Sequence, residues 1–340
     1  MAAPAMSSFN KILMITLIVL WGSSFVVVKI VLREGLTPIS IATFRFLVAG
    51  GLFLVWLLVK RQRNPTYGLI GKEDAPRFLL LALTGVTFFF GAQYAGIQMA
   101  GASIAAILVC LLSPVLIATF SALLLNELLT KRQILGIGLA GLGASLVVTA
   151  GGLGFSTSDD FFLGTLILLL TPFLWAVYSL LGKRMMKKYD PFLAVAYVTM
   201  LGGLCLVPFS LVEGSLHRIF NLGIQGWLAI LFLALACSLL GYYIWFRVLK
   251  EVGAAVTSSF LFAEPLVTVL LAVLFVDERL SWPIVSGGVL IFLGVYLVTM
   301  KQMPQLSRTH KDRNEAIEIH PYLNAENMRW RRRSMYNANG

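Results

Sequence analysis

The chain has 340 residues, of which 58% are hydrophobic and 13% are Asp, Glu, Lys or Arg. A soluble domain carries about 25% charged residues, so this composition, at a mean hydropathy of +0.85, excludes a water-solvated fold and predicts an all-α integral membrane protein. The formal net charge of +11, from 27 Lys and Arg against 16 Asp and Glu, leaves an excess of basic residues to be placed.

A bilayer core of about 30 Å takes roughly 20 apolar helical residues. Ten segments reach that length: 11–32, 38–59, 76–95, 102–125, 133–150, 161–182, 191–212, 226–247, 253–275 and 282–300. The first resembles a signal peptide, with Lys11 ahead of an apolar run, but so many spans follow it that it reads as a retained anchor. Thr37-Pro38 and Asp190-Pro191 place a capping residue before a proline at the first helical position, where the missing N–H costs nothing. Thr130 and Gln133 fit a capping box before the fifth span.

Cytoplasmic loops concentrate Lys and Arg. With a cytoplasmic N-terminus, 22 of the 27 basic residues fall in cytoplasmic segments; Lys29, Arg33, Arg218 and Arg279 fall on the other face, and Arg45 lies within a span. Both termini are therefore expected in the cytoplasm, and the lack of a transit peptide favours the plasma membrane. Residues 301–340, with eight basic and four acidic residues, are expected to be a basic, disordered tail. The Arg329-Trp330-Arg331-Arg332-Arg333 cluster could touch anionic lipid; a solvated tail with no docking fits equally.

The chain also repeats itself. At an offset of 151, Pro114 pairs with Pro265, Glu127 with Glu278, Gly136 with Gly287 and Gly143 with Gly294. Earlier in each half, Trp21 and Lys29 match Trp175 and Lys183, and Pro38 matches Pro191. Two five-helix units result, 11–150 and 161–300. Five is odd, so the second copy must enter from the opposite side. The expected fold is ten transmembrane helices as two inverted five-helix repeats around a central cavity, an arrangement suited to alternating access.

These residues resemble a family. The W-G-S-S-F-x-x-x-K run from Trp21 to Lys29, Pro38 with Arg45, the Ser113–Val115 S-P-V followed by Asn126-Glu127, and the A-E-P-L from Ala263 to Leu266 followed by Asp277-Glu278 look like the EamA-like family of the drug/metabolite transporter superfamily. The likeness covers residues 11–300 and leaves the tail outside. It implies a transporter of small metabolites, often amino acids or related compounds, frequently moved outward, and it names no substrate.

Several residues are candidates for a solute site. Glu264 lies mid-way along the ninth span, where a charge is costly and usually functional. It is the candidate proton-coupling group; the alternative is a hydrogen bond to a neighbouring helix near Pro265. Arg45, about 10 Å down the second helix, could bind a substrate carboxylate, or else snorkel or make a structural pair. Trp21 and Trp175 hold equivalent places in the two copies, and Tyr178 shares the Trp175 face. Phe90, Gln93, Tyr94 and Ile97 form a polar-aromatic stripe, and Tyr242 and Tyr243 crowd the eighth span. Trp56, Trp227 and Trp282 fit interfacial belts. Glu127 and Glu278 read as loop caps or as partners of Lys131, Arg132 or Arg279. The glycines of the fifth and tenth spans allow close helix packing or a dimer face.

Cys110, Cys205 and Cys237 lie in apolar runs, no H-E-x-x-H, P-loop or G-x-S-x-G occurs, and all three histidines fall outside the spans. No metal, cofactor, catalytic residue or nucleic-acid partner is expected. The expected partners are a small-molecule solute, lipid and protons as a coupling ion, with the protein a monomer or homodimer. A membrane-embedded enzyme or a scaffold is the alternative.

Overall fold

The computed structural model describes residues 7–64, 66–124, 131–149, 159–185, 188–252 and 260–299. Glu127, Thr130 and the 301–340 tail lie outside them. The described residues contain no strand. Helix α1 (Ser8–Arg33) starts where the Ser7 hydroxyl accepts the Asn10 N–H, and α2 is Pro38–Arg63. Helix α3 (Ala75–Ala82) widens through a π-helical turn, Leu83–Thr87, into α4 (Phe88–Ala100). There follow α5 (Ala102–Leu124), α6 (Lys131–Thr149), α7 (Asp159–Met185) and α8 (Pro191–Glu213). Then α9 (Ile224–Leu231) passes through a second π segment, Phe232–Leu240, into α10 (Gly241–Val252). A 3₁₀ turn, Phe260–Ala263, leads to α11 (Glu264–Val276), and α12 is Trp282–Thr299.

Six of these rods are long and apolar enough to cross a membrane: Ser8–Arg33, Pro38–Arg63, Lys72–Ala100, Asp159–Gly182, Phe192–Glu213 and Ile224–Trp245. Ala102–Ile117, Phe260–Val276 and Trp282–Leu297 are shorter apolar helices. Leu54, Leu142, Leu211 and Phe275 are among many large apolar side chains left exposed. An apolar exterior of that extent marks a lipid-facing surface.

Local chemistry explains several boundaries. Asp190 accepts the Phe192 and Leu193 N–H groups, as expected of the cap before Pro191. Thr37 departs from the expectation: it makes no cap bond, and its hydroxyl instead meets Glu213 and Ser215 at the end of α8. The ninth span also differs from a continuous helix over 253–275. Residues 253–259 are outside the described set, and α11 begins only at Glu264. Pro265 sits in its first turn, where a fixed φ and an absent N–H favour a helix start.

The most extensive helix pairings are α6 with α12, α2 with α8, and α4 with α7. The first is built on glycine. A Cβ on Gly143 would stand 2.5 Å from the Gly287 carbonyl oxygen, and one on Gly294 would stand 2.5 Å from that of Gly136. Two contacts exchanged in this way bring the backbones together. Those four glycines are thus consumed within the chain, whereas Gly138 and Gly141 have open space around them.

Loops fasten the helices at both ends. On the face where α1 begins, the fully buried Asp74 carboxylate accepts from Lys188, from Tyr189 Oη at 2.7 Å and from Arg77 Nη1 at 2.6 Å. Asp74 and then Glu73 hold the Lys188 ammonium well above the usual lysine range. On the opposite face Gly223 N–H donates to Glu34 at 3.2 Å, and Arg218 donates to the Gly35 carbonyl at 3.2 Å.

Gly143→Leu should lower the unfolding free energy by about 1–3 kcal/mol, the usual cost of overpacking a tight contact. Gly138→Leu should leave it within about 0.5 kcal/mol, as surface changes do. Denaturant unfolding in detergent micelles checks both.

Candidate functional site

Arg45 on α2 organises the interior. It is 2% exposed, and its guanidinium lies over the Phe90 ring at 4.6 Å and the Phe46 ring at 5.1 Å. Its Nε donates to Ser238 Oγ at 2.7 Å and its Nη1 to Tyr94 Oη at 2.5 Å. Among the described residues no carboxylate lies within ion-pair distance of it, and Nη2 donates to no protein acceptor. Arg45 therefore ties α2 to α4 and to the second π segment, with one edge of the fork unfilled.

Gln93 stands beside this tie, one turn along α4 from Phe90. It is 6% exposed and no described residue hydrogen-bonds its amide. Tyr94 is buried and meets Phe90 edge-on at 5.6 Å.

Trp21 packs on the second π segment. Its Nε1 donates to the Cys237 carbonyl at 3.0 Å, and its ring meets Tyr242 and Trp245, each at 5.7 Å. Gly241 makes that approach possible, because a Cβ there would stand 2.5 Å from Trp21 Nε1. Trp175 and Tyr178 on α7 form the corresponding group at the first π turn. They meet each other at 5.2 Å, Trp175 meets Phe89 at 5.2 Å, and Gly85 leaves room for the Tyr178 ring. Tyr178 also lies within electrostatic reach of Tyr242.

Glu264 is buried at the start of α11, near Cys110 of α5. The next turn is joined to α1 by Thr268 Oγ1, which donates to the Gly22 carbonyl at 2.8 Å.

The structure thus joins Arg45 with Tyr94, Trp21 with Tyr242 and Trp175 with Tyr178, sets Gln93 next to Tyr94 on α4, and among the described residues gives the Glu264 side chain no hydrogen bond or ion pair with any of them. Tyr243 does not join them. It faces away from Tyr242, is 44% exposed, meets Phe192 at 6.2 Å and accepts from Arg247, because neighbours on a helix point about 100° apart. Ser238, Phe46 and Cys110 were missed; each sits in an apolar run with no periodicity to single it out. Phe90 was visible in the stripe on α4. An apolar groove of about 420 Å³, lined by Thr43, Phe44, Leu47, Val207 and Ile219 among others, shares no residue with this cluster.

A multi-pass, all-helical membrane protein with polar groups gathered at its centre is the class these features define. The chain belongs to the EamA-like transporter family, whose sequence model matches it twice, over residues 9–149 and 162–300. An uncharacterized transporter of Archaeoglobus fulgidus is 32% identical, over 87% of this chain and 99% of that protein. The uncharacterized transporter YyaM of Bacillus subtilis is 30% identical, over 76% of this chain and 83% of the relative. A probable amino-acid metabolite efflux pump of Salmonella typhimurium is 27% identical, over 86% and 95%. A solved crystal structure aligns with a TM-score of 0.56 at 18% identity, over 88% of this chain and 99% of that one, a likeness of fold.

Tyr94→Phe and Ser238→Ala each remove an acceptor from a buried charge, a bond of about 1.5–3 kcal/mol. Each should lower the unfolding free energy by that amount in detergent, while Tyr243→Phe should change it by less than about 0.5 kcal/mol.

Proposed function

We propose that the protein is a secondary transporter of small organic metabolites, amino-acid-like solutes above all, working by alternating access and carrying them outward across the plasma membrane. One observation carries the reading: the buried Arg45 guanidinium has, among the described residues, no carboxylate partner and one nitrogen without an acceptor, and no described residue hydrogen-bonds the Gln93 amide on the neighbouring helix. A buried charge left unpaired is expensive, and a solute carboxylate on Arg45 Nη2 would relieve it. Gln93 would take a second polar group, while Trp21, Tyr94, Trp175, Tyr178 and Tyr242 would wall the solute. Glu264 is the proton-coupling group in this reading.

The architecture proposed is ten helices in two inverted five-helix repeats, 11–150 and 161–300, with both termini cytoplasmic and 301–340 a basic tail. The double family match supports the duplication. The exchanged contacts of Gly143 with Gly287 and Gly294 with Gly136 support a two-fold relation between the copies. The relative named as a probable amino-acid metabolite efflux pump supports the solute class and direction. Gly136, Gly143, Gly287 and Gly294 are used within the chain while Gly138 and Gly141 have open space around them, so the working unit is a monomer or a homodimer.

The test is flux in proteoliposomes over a panel of amino acids and related solutes, with and without a pH gradient. The expected outcome is saturable movement of at least one carboxylate-bearing solute. Arg45→Gln should weaken it about tenfold to a hundredfold, the equivalent of about 1.5–3 kcal/mol of charge-assisted binding. Glu264→Gln should abolish stimulation by the pH gradient and leave solute exchange. No movement of any solute sinks the transporter reading; equal transport with and without the gradient in both forms sinks the role of Glu264.

A further inference from the structure

Polar contacts at the helix ends fall into two sets. In the first, Asp74 with Lys188 and Tyr189 fastens one face, while Glu34 with Gly223, Arg218 with Gly35, and Thr37 with Ser215 fasten the other. These clasps are made at both faces at once. Closed at both faces in one structure, they hold α2, α3, α8 and α9 together, and this set is assigned to the scaffold.

The second set lies on the face where α1 ends. Glu278, in the loop between α11 and α12, reaches across to α5 and accepts from the Ala102 and Ser103 N–H groups at 2.6 and 2.9 Å. A carboxylate at a helix N-terminus meets unpaired donors and the positive end of the helix dipole. Gly101, at φ +103°, permits the approach: a Cβ there would stand 2.8 Å from Glu278 Oε1. On either side, Lys29 donates to the Ile97 carbonyl at 3.2 Å and Arg33 to that of Val276 at 2.6 Å. Together these bonds join α1, α4, α5 and α11, the helices that carry Trp21, Gln93, Cys110 and Glu264. Gly101 lies eight residues beyond Gln93, about 12 Å along the helix, so the contact roofs the solute site.

We infer that Glu278 is the latch of the extracellular gate, releasing the first turn of α5 each time the carrier opens outward. The inference rests on the transporter reading and on its orientation. Sequence reasoning expected Glu278 to serve its own loop; the structure gives its carboxylate to the other half of the chain.

Ser103 supplies the probe. Its hydroxyl is fully buried and has no hydrogen-bond partner among the described residues, so Ser103→Cys changes little and becomes reactive only when the latch opens. In intact cells expressing the full chain, the rate of modification by a membrane-impermeant maleimide is read by mass spectrometry of the labelled peptide. The same protein without that cysteine gives the background. Glu278→Gln and Gly101→Ala, each added to Ser103→Cys, should raise the rate at least tenfold, and Asp74→Asn should leave it unchanged. Unchanged rates in both latch variants, in protein that remains monodisperse, overturn the latch. So does an equal rise with Asp74→Asn, which would be general loosening. Labelling confined to inside-out vesicles overturns the extracellular placement. The readout needs no solute, so a failed flux screen overturns the transporter reading alone.

Discussion

In a hydrocarbon slab there is no water to satisfy a backbone amide or carbonyl, so every such group needs a partner inside the protein. An unbroken α-helix meets that demand by itself. The two π segments, Leu83–Thr87 and Phe232–Leu240, do not, because a widened turn shifts the register of its bonds and frees groups that must find others. Much of the interior follows from that need. Trp21 Nε1 donates to the Cys237 carbonyl at one segment, and the Thr87 hydroxyl at the end of the other donates back to the Ala82 carbonyl at 3.4 Å. Gly241 and Gly85 give the aromatic rings of Trp21 and Tyr178 room to close over the widened turns. The aromatic groups at the centre therefore do structural work before any solute arrives.

Arg45 is the second consequence of burial. Its charge is met by ring faces and two hydroxyls rather than by a carboxylate. Ring faces and neutral hydroxyls stabilise a cation by about 1–2 kcal/mol each, less than a desolvated ammonium or guanidinium loses on leaving water. The shortfall makes the site receptive to an anionic group. Glu264 has the complementary position: it opens a helix whose first turn offers unpaired N–H groups, and Pro265 sets where that helix begins.

The membrane class, the helix starts at Pro38 and Pro191 and the glycine-rich spans could be read directly, since each rests on local composition or on a single residue's backbone limits. Glu264 was legible as unusual within an apolar run, but the 3₁₀ turn ahead of it was not, because that turn is as apolar as the helix it precedes. Arg45, Gln93 and Tyr94 were picked out one at a time by polarity inside apolar runs. What could not be read is their company. Ser238 becomes a polar partner of Arg45 only because α2 and the second π segment converge, and that depends on register between helices far apart in sequence. Tyr242 and Tyr243 show the limit of composition most directly: adjacent, identical side chains point to opposite environments.

The internal match separates two kinds of position. Gly143 with Gly294, Trp21 with Trp175, and Pro38 with Pro191 keep the same residue in both halves, and each serves architecture: a backbone crossing, a cover over a widened helix, a helix start. Arg45 is matched by Val198 and Glu264 by Ser113, so the central charges are present once each. Val198 is buried among apolar neighbours, and Ser113 returns its hydroxyl to the Val109 carbonyl of its own helix; neither asks anything of a solute. A shared frame sets where the helices cross, and the departures from it give the centre a direction, with a cation contributed by the first half and a carboxylate by the second.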